Sequence, residues 1–122
     1  MNSKQRGPLR GEIWFVQLPT DPPEKGLRPV VIVSIDNRNT HPRANTVLVA
    51  PLTTSLIKDV PTHVYLSSGE TGLEVSCVKA EDVTVVNKSS LREPRVRLRA
   101  LSNSRICQIA DAVRFAMGCP PK

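Results

Sequence analysis

Arg28 stands immediately before a proline and a run of β-branched residues, in the stretch GLRPVVIVS (26–34). Pro29 confines Arg28 to extended backbone, so its guanidinium is held at the entrance of a strand. A guanidinium fork matches two phosphate oxygens and stays charged at any physiological pH. Downstream, PLTTS (51–55) sets the hydroxyls of Thr53, Thr54 and Ser55 just after a proline-disturbed strand end. Hydroxyls so placed donate to a phosphate or cap a turn. His63, in PTHVYL, is a strand histidine able to shuttle a proton, and Asp21 and Glu24 are the acids nearest to Arg28 in the preceding loop. A fixed cation with proton donors and acceptors suffices for metal-free cleavage of an RNA phosphodiester. The 2′-hydroxyl loses its proton and attacks phosphorus, the developing phosphoryl charge is neutralised, and the leaving oxygen is protonated. Each residue also has an ordinary structural use: a surface ion pair for Arg28, a turn cap for the hydroxyls, a surface or packing position for His63.

A second basic feature lies in REPRVRLRAL (92–101), where Arg95, Arg97 and Arg99 alternate with Val96, Leu98 and Ala100. At a period of two the arginines share one face of an extended segment. That face either tracks phosphates or lines a solvated edge strand whose charges deter sheet-to-sheet pairing. The net charge of +6 points to a polyanionic partner: nucleic acid, an acidic protein segment or an anionic membrane surface.

The elements that must position these groups are mostly strands. Aromatic residues make up 3% of the chain, which leaves Val, Ile and Leu to build the core and favours β-structure. Strands are expected over 11–18, 28–36, 44–53, 62–66, 73–80 and 83–87, separated by Gly, Pro and Asn breaks. Pro51 falls inside the third and favours a bulge or strand end there. Loops are expected at PTDPPEKG (19–26) and NRNTHPR (37–43). The pattern indicates an antiparallel barrel or sandwich. At the C-terminus, Ile106, Ile109, Ala110, Val113 and Met117 recur at helical spacing, Ser102 or Ser104 can cap the start, and Gly118 with two prolines stops the helix.

A chain of 122 residues is sized for one domain. We expect a loose tail over 1–9, a single domain over 10–118 and a short tail over 119–122. Cys77, Cys107 and Cys119 are odd in number and show no zinc-site spacing, so they read as reduced, structural thiols. The two histidines form no H-x-x-x-H pair, and neither a metal nor another cofactor is expected. No apolar run is long enough to span a bilayer and no signal peptide is visible, so the expected location is cytoplasmic, away from the membrane.

Taken in order, RGEIWFVQL (10–18), GLRPVVIVS (26–34), VLVAPLTTS (47–55), PTHVYL (61–66), TGLEVSCV (71–78) and AEDVTVVNKSSL (80–91), followed by a closing helix, resemble the MazF/PemK family of toxins from bacterial toxin–antitoxin pairs. The resemblance implies a mainly β fold, a small SH3-like antiparallel barrel with a C-terminal α-helix, assembled as a homodimer. It implies a metal-independent, sequence-specific endoribonuclease that cuts single-stranded RNA, usually messenger RNA. It also implies a cognate antitoxin, MazE-like, whose acidic flexible segment covers the RNA groove. The family's catalytic arginine and hydroxyl residue match Arg28 and Thr53. Glu24, Thr54, Ser55, His63, Arg95 and Arg97 are the further candidates for substrate contact. The loop before Arg28 departs from the family's G-S-E-Q-like sequence, so base preference does not transfer. Two other readings stay open: a CcdB-like toxin that poisons DNA gyrase, and an SH3-like module that binds RNA without cutting it.

Overall fold

The computed structural model describes residues 7–75 and 77–119. Most of the expected N-terminal tail, residues 1–6, and most of the C-terminal one, 120–122, lie outside them. Six strands form one antiparallel sheet: β1 (Ile13–Val16), β2 (Arg28–Ile32), β3 (Thr46–Thr53), β4 (His63–Tyr65), β5 (Cys77–Lys79) and β6 (Thr84–Asn87). The order is β1-β2-β3-β5-β4, with β6 also paired to β3. The fold is mainly β, as expected, but among the described residues no ladder joins β1 to β4, so the sheet is open where a barrel would close. The outer edge of β1 is taken instead by the chain before the helix, through Phe15 with Arg92 and Gly11 with Leu101.

Both prolines in the central strands sit where a ladder ends or pauses. The Val33 N–H donates to the Leu48 carbonyl, which sets odd-numbered residues of β2 toward β3. Pro29 is therefore the position at which the β2–β3 ladder must end, and its last pair is Val30 with Pro51. Of the bulge or strand end expected at Pro51, the strand end does not occur, since β3 runs on through it to Thr53. On its other edge β3 pairs β6 over Thr46–Val49 and β5 over Leu52–Thr53, and Pro51 falls in the gap between the two ladders. That gap is opposite the 3-10 turn Ala80–Asp82, which interrupts what is otherwise one long strand.

The sheet buries both faces. Val31, Ala50, Leu52, Val64 and Val78 pack against Ile106, Ile109 and Ala112 of the C-terminal helix (Asn103–Ala116). Trp14, Val16, Val30, Ile32, Val47, Val49 and Val86 form a second cluster on the other face. Ser102 caps the helix by accepting from the Arg105 N–H at 3.2 Å. Ala110 and Met117, expected in the buried stripe, are exposed, and the buried stripe is Ile106, Ile109 and Ala112. The expected strand over 73–80 is limited to Cys77–Lys79, with Ser76 outside the described residues.

The expected loop after β2 contains a short helix, Asp36–Asn39. The fully buried Asn39 secures it, donating from Nδ2 to the Ser34 carbonyl at 2.7 Å and accepting from the Ser34 hydroxyl. Ser34 Oγ in turn accepts from the Leu48 N–H at 3.1 Å, which fastens the turn to β3.

The turn after β4 is tied to the helix by Glu70 and Arg105, with Nε to Oε2 at 2.9 Å and Nη2 to Oε1 at 3.1 Å. Arg105 holds the Glu70 carboxyl below its ordinary value, partial burial opposes this, and the Ser67 N–H reinforces it. Glu70→Gln is expected to cost about 0.5–1.5 kcal/mol near neutral pH. Because the folded value is depressed, this contribution is fully present above the ordinary Glu value of about 4.3 and is lost as pH falls through the folded value. Denaturant titrations of both proteins between pH 7 and pH 3 should show the gap closing with acid. A gap that widens instead would contradict the pairing.

Candidate functional site

Val16 is opposite Arg28 across β1–β2, Thr53 is opposite Cys77 across β3–β5, and Cys77 is opposite Tyr65 across β5–β4. Continuing the β2–β3 register two residues beyond Val30 and Pro51 sets Arg28 opposite Thr53. The four strands thus carry one transverse row, Arg28, Thr53, Cys77 and Tyr65. Strand alternation puts it on the face of the Trp14–Val49 cluster, away from the helix. Arg28 and Thr53 stand where the β2–β3 ladder ends.

Arg28 is not a free cation. Its Nη1 donates to Asp21 Oδ2 at 3.0 Å, with the two side chains 26% and 14% exposed. Asp21 rather than Glu24 is the acid brought to Arg28. Glu24 is exposed in the 3-10 turn Pro23–Lys25. The Thr53 hydroxyl accepts from the Ser55 N–H at 3.1 Å, which leaves its hydrogen to donate. Thr54 and Ser55 are exposed on the loop that leaves β3. Tyr65 pins that loop, its hydroxyl donating to the Ile57 carbonyl at 2.6 Å and accepting from the Val60 N–H at 3.0 Å.

His63 is largely enclosed, its side chain 7% exposed. Nε2 lies 3.1 Å from Glu81 Oε1, and Nδ1 lies 3.8 Å from the Cys77 sulfur, which is itself 3.8 Å from the Ser55 carbonyl. Burial pushes the Cys77 thiol up, the Glu81 charge adds to this and Lys79 opposes it, so Cys77 stays protonated near neutral pH. Burial also raises the Glu81 carboxyl, but hydrogen bonding to Thr62 and the approach of His63 outweigh it and leave it lowered. Cys77 is the residue that sequence reasoning missed, because its place between Thr53 and His63 depends on strand register. Among the described residues no group of His, Cys, Asp and Glu side chains converges in a way that could hold a metal ion.

Arg95 and Arg97 are not brought to this row. After the Phe15–Arg92 bridge, the next partner along the edge of β1 is Pro94, which has no N–H to extend the ladder. The chain bows outward until the Leu101 N–H reaches the Gly11 carbonyl at 2.9 Å. It leaves an open cleft of about 910 Å³ whose lining includes Trp14, Arg95, Arg97 and Arg99. A bend at Arg95–Val96 breaks the expected period of two, and Val96 is exposed along with the arginines. Arg95 also lines a smaller apolar cavity with Leu27, Leu73 and Leu98, and the last two pack on the helix side of the sheet. Arg28 faces the other side.

Comparison with known proteins identifies the family to which this fold belongs. Residues 9–117 match the PemK-like, MazF-like toxins of type II toxin-antitoxin systems. Endoribonuclease MazF9 of Mycobacterium tuberculosis is 34% identical over 114 residues, which cover 87% of this chain and 92% of that one. Among solved structures, a mycobacterial endoribonuclease in complex with its cognate antitoxin superposes with a TM-score of 0.73 at 26% identity, over 94% of this chain and 99% of that one. MazF from Deinococcus radiodurans has the same fold, with a TM-score of 0.71 at 16% identity over 92% and 97% of the two chains. With a match that spans nearly the whole chain and a relative at this level of identity, the chain belongs to the PemK-like, MazF-like toxin family of type II toxin-antitoxin systems.

Proposed function

We propose that this toxin is a metal-independent endoribonuclease that cuts single-stranded RNA, messenger RNA in particular, at short specific sequences. What supports the reading is the β2–β3 register, which, continued two residues past its last pair, Val30 with Pro51, sets Arg28 opposite Thr53. A phosphate seated there meets the guanidinium donors that Asp21 leaves unused and the hydroxyl hydrogen of Thr53. A guanidinium keeps its charge at any physiological pH, so Arg28 serves as a fixed charge for the phosphoryl oxygens and not as a proton carrier. Thr53 holds a phosphoryl oxygen or orients Arg28. The 2′-hydroxyl gives up its proton and attacks phosphorus, the bond to the 5′-oxygen breaks and that oxygen takes up a proton, so the products are a 2′,3′-cyclic phosphate and a 5′-hydroxyl. Thr54 and Ser55, exposed beside Thr53, are placed to touch the strand on its way through, whereas Glu24, Arg95 and Arg97 serve at most its flanks.

The same reading takes a homodimer working on cytoplasmic RNA, held inactive by a cognate antitoxin whose acidic segment competes for the basic surface. The net charge of +6 suits both partners. Among the described residues no helix is long and apolar enough to cross a membrane.

Purified protein incubated with a long single-stranded RNA in EDTA should give discrete fragments with 5′-hydroxyl ends. Activity that disappears on adding EDTA would sink the metal-independent mechanism. Tight RNA binding with no scission in any buffer would sink the enzyme.

A further inference from the structure

The Arg28–Asp21 pair has a property that ordinary surface ion pairs lack. Both partners precede a proline, Asp21 before Pro22 and Arg28 before Pro29, so both backbones are restricted to extended conformations before the pair forms. The loop between them is tightened further. The Asp21 N–H donates to the Leu18 carbonyl at 3.1 Å, and the Lys25 and Gly26 N–H groups donate to Pro22 and Pro23 at 3.0 and 3.1 Å. Asp21 is more enclosed than the arginine it holds, and the recorded contact uses a single guanidinium nitrogen, Nη1. A carboxylate placed to neutralise Arg28 would engage two of its nitrogens, as Glu70 engages Arg105 in this same fold.

We propose that Asp21 is a positioning residue for the reaction: it anchors one arm of Arg28 so that the remaining donors are aimed at the scissile phosphate. This rests on the reading of Arg28 as the phosphate-stabilising group. The arrangement has a built-in cost, because the carboxylate repels the phosphate that Arg28 attracts. Asp21 therefore weakens ground-state RNA binding while improving the geometry needed in the transition state. Rate and affinity respond to its loss in opposite directions, which no purely structural role produces.

The test is Asp21→Asn, which keeps the residue's size, a carbonyl acceptor and the position before Pro22. Cleavage kinetics on a defined RNA should show kcat lower by roughly tenfold, the scale expected for loosening one positioning contact, with KM unchanged or lower. Binding of the same RNA fully 2′-O-methylated, which lacks the attacking hydroxyl, should tighten by about threefold in low salt and converge with wild type as salt is raised. The shape of the pH–rate profile should not change. The proposal is overturned by wild-type kcat, by affinity and rate falling together with a lower melting temperature, or by loss of the acidic limb of the pH–rate profile. The last outcome would make Asp21 the proton acceptor. Arg28→Ala in the same assays separates the two levels. If that variant cuts RNA normally, the site reading itself fails. If it is inactive while Asp21→Asn matches wild type, only the positioning role fails.

Discussion

Arg28→Ala is expected to slow RNA cleavage by roughly two to three orders of magnitude, the loss typical of removing one preorganised group that stabilises developing charge. Two effects add. The phosphoryl oxygens lose their fixed cation, and Asp21, 14% exposed, is left as an unpaired carboxylate beside the phosphate. Arg28→Lys restores the charge but not the planar fork, and an ammonium cannot hold Asp21 and two phosphoryl oxygens in one plane, so its rate should fall between the two. Single-turnover cleavage of a defined RNA measures this, with a melting curve to show that the variant is folded. A folded Arg28→Ala protein that cleaves within about threefold of wild type would remove Arg28 from the chemistry.

Much of the fold is legible in the sequence because its signals are local. The six apolar runs and their Gly and Pro breaks correspond to six strands, and the Ser102 cap and Gly118 stop bracket the helix. What the local signals miss is set by partners far along the chain. The Asp36–Asn39 helix depends on Asn39 finding Ser34 and, through it, Leu48 of β3. The bend at Arg95–Val96 depends on Pro94 arriving at an edge of β1 that asks for an N–H donor. The exposure of Ala110 depends on which side of the helix meets the sheet, that of Ile106, Ile109 and Ala112.

The same division holds at the site. Arg28 and the hydroxyls after β3 stand out by residue type and by their prolines, and Asp21 is visible as an acid in the preceding loop. Only the register of four strands makes Arg28 and Thr53 neighbours in a row and inserts Cys77 between Thr53 and His63. Nothing in the spacing of Asp21 and Glu24 distinguishes the acid that reaches Arg28 from the one that does not. The turn at Leu18–Asp21 and the 3-10 turn at Pro23–Lys25 decide it, by aiming Asp21 inward and leaving Glu24 in solvent.

Gly11 carries the largest expected effect on stability. It is the crossing point of three segments: its N–H donates to the Ile32 carbonyl at 2.7 Å, and its carbonyl accepts from the Leu101 N–H at 2.9 Å. Its φ is +91°, and a Cβ there would lie 2.7 Å from the Leu101 carbonyl oxygen, a backbone atom that cannot swing aside. Gly11→Ala therefore combines an unfavourable backbone conformation with displacement of the chain that leads into the helix, and should cost about 2–4 kcal/mol. Gly26 is the internal control. Its φ of +62° and ψ of −146° suit only glycine, but a Cβ would meet nothing within 4 Å, so Gly26→Ala should carry the backbone cost alone, about 1–3 kcal/mol. Urea midpoints at constant slope measure both. Equal losses in the two variants would show that the approach to Leu101 relaxes freely and does not anchor the helix segment. Antiparallel pairing sets the Gly11–Ile32 end of the β1–β2 ladder opposite its Val16–Arg28 end. A folded Gly11→Ala protein, assayed well below its melting temperature, should therefore keep near-normal RNA cleavage while losing stability, the reverse of the pattern expected for Arg28→Ala.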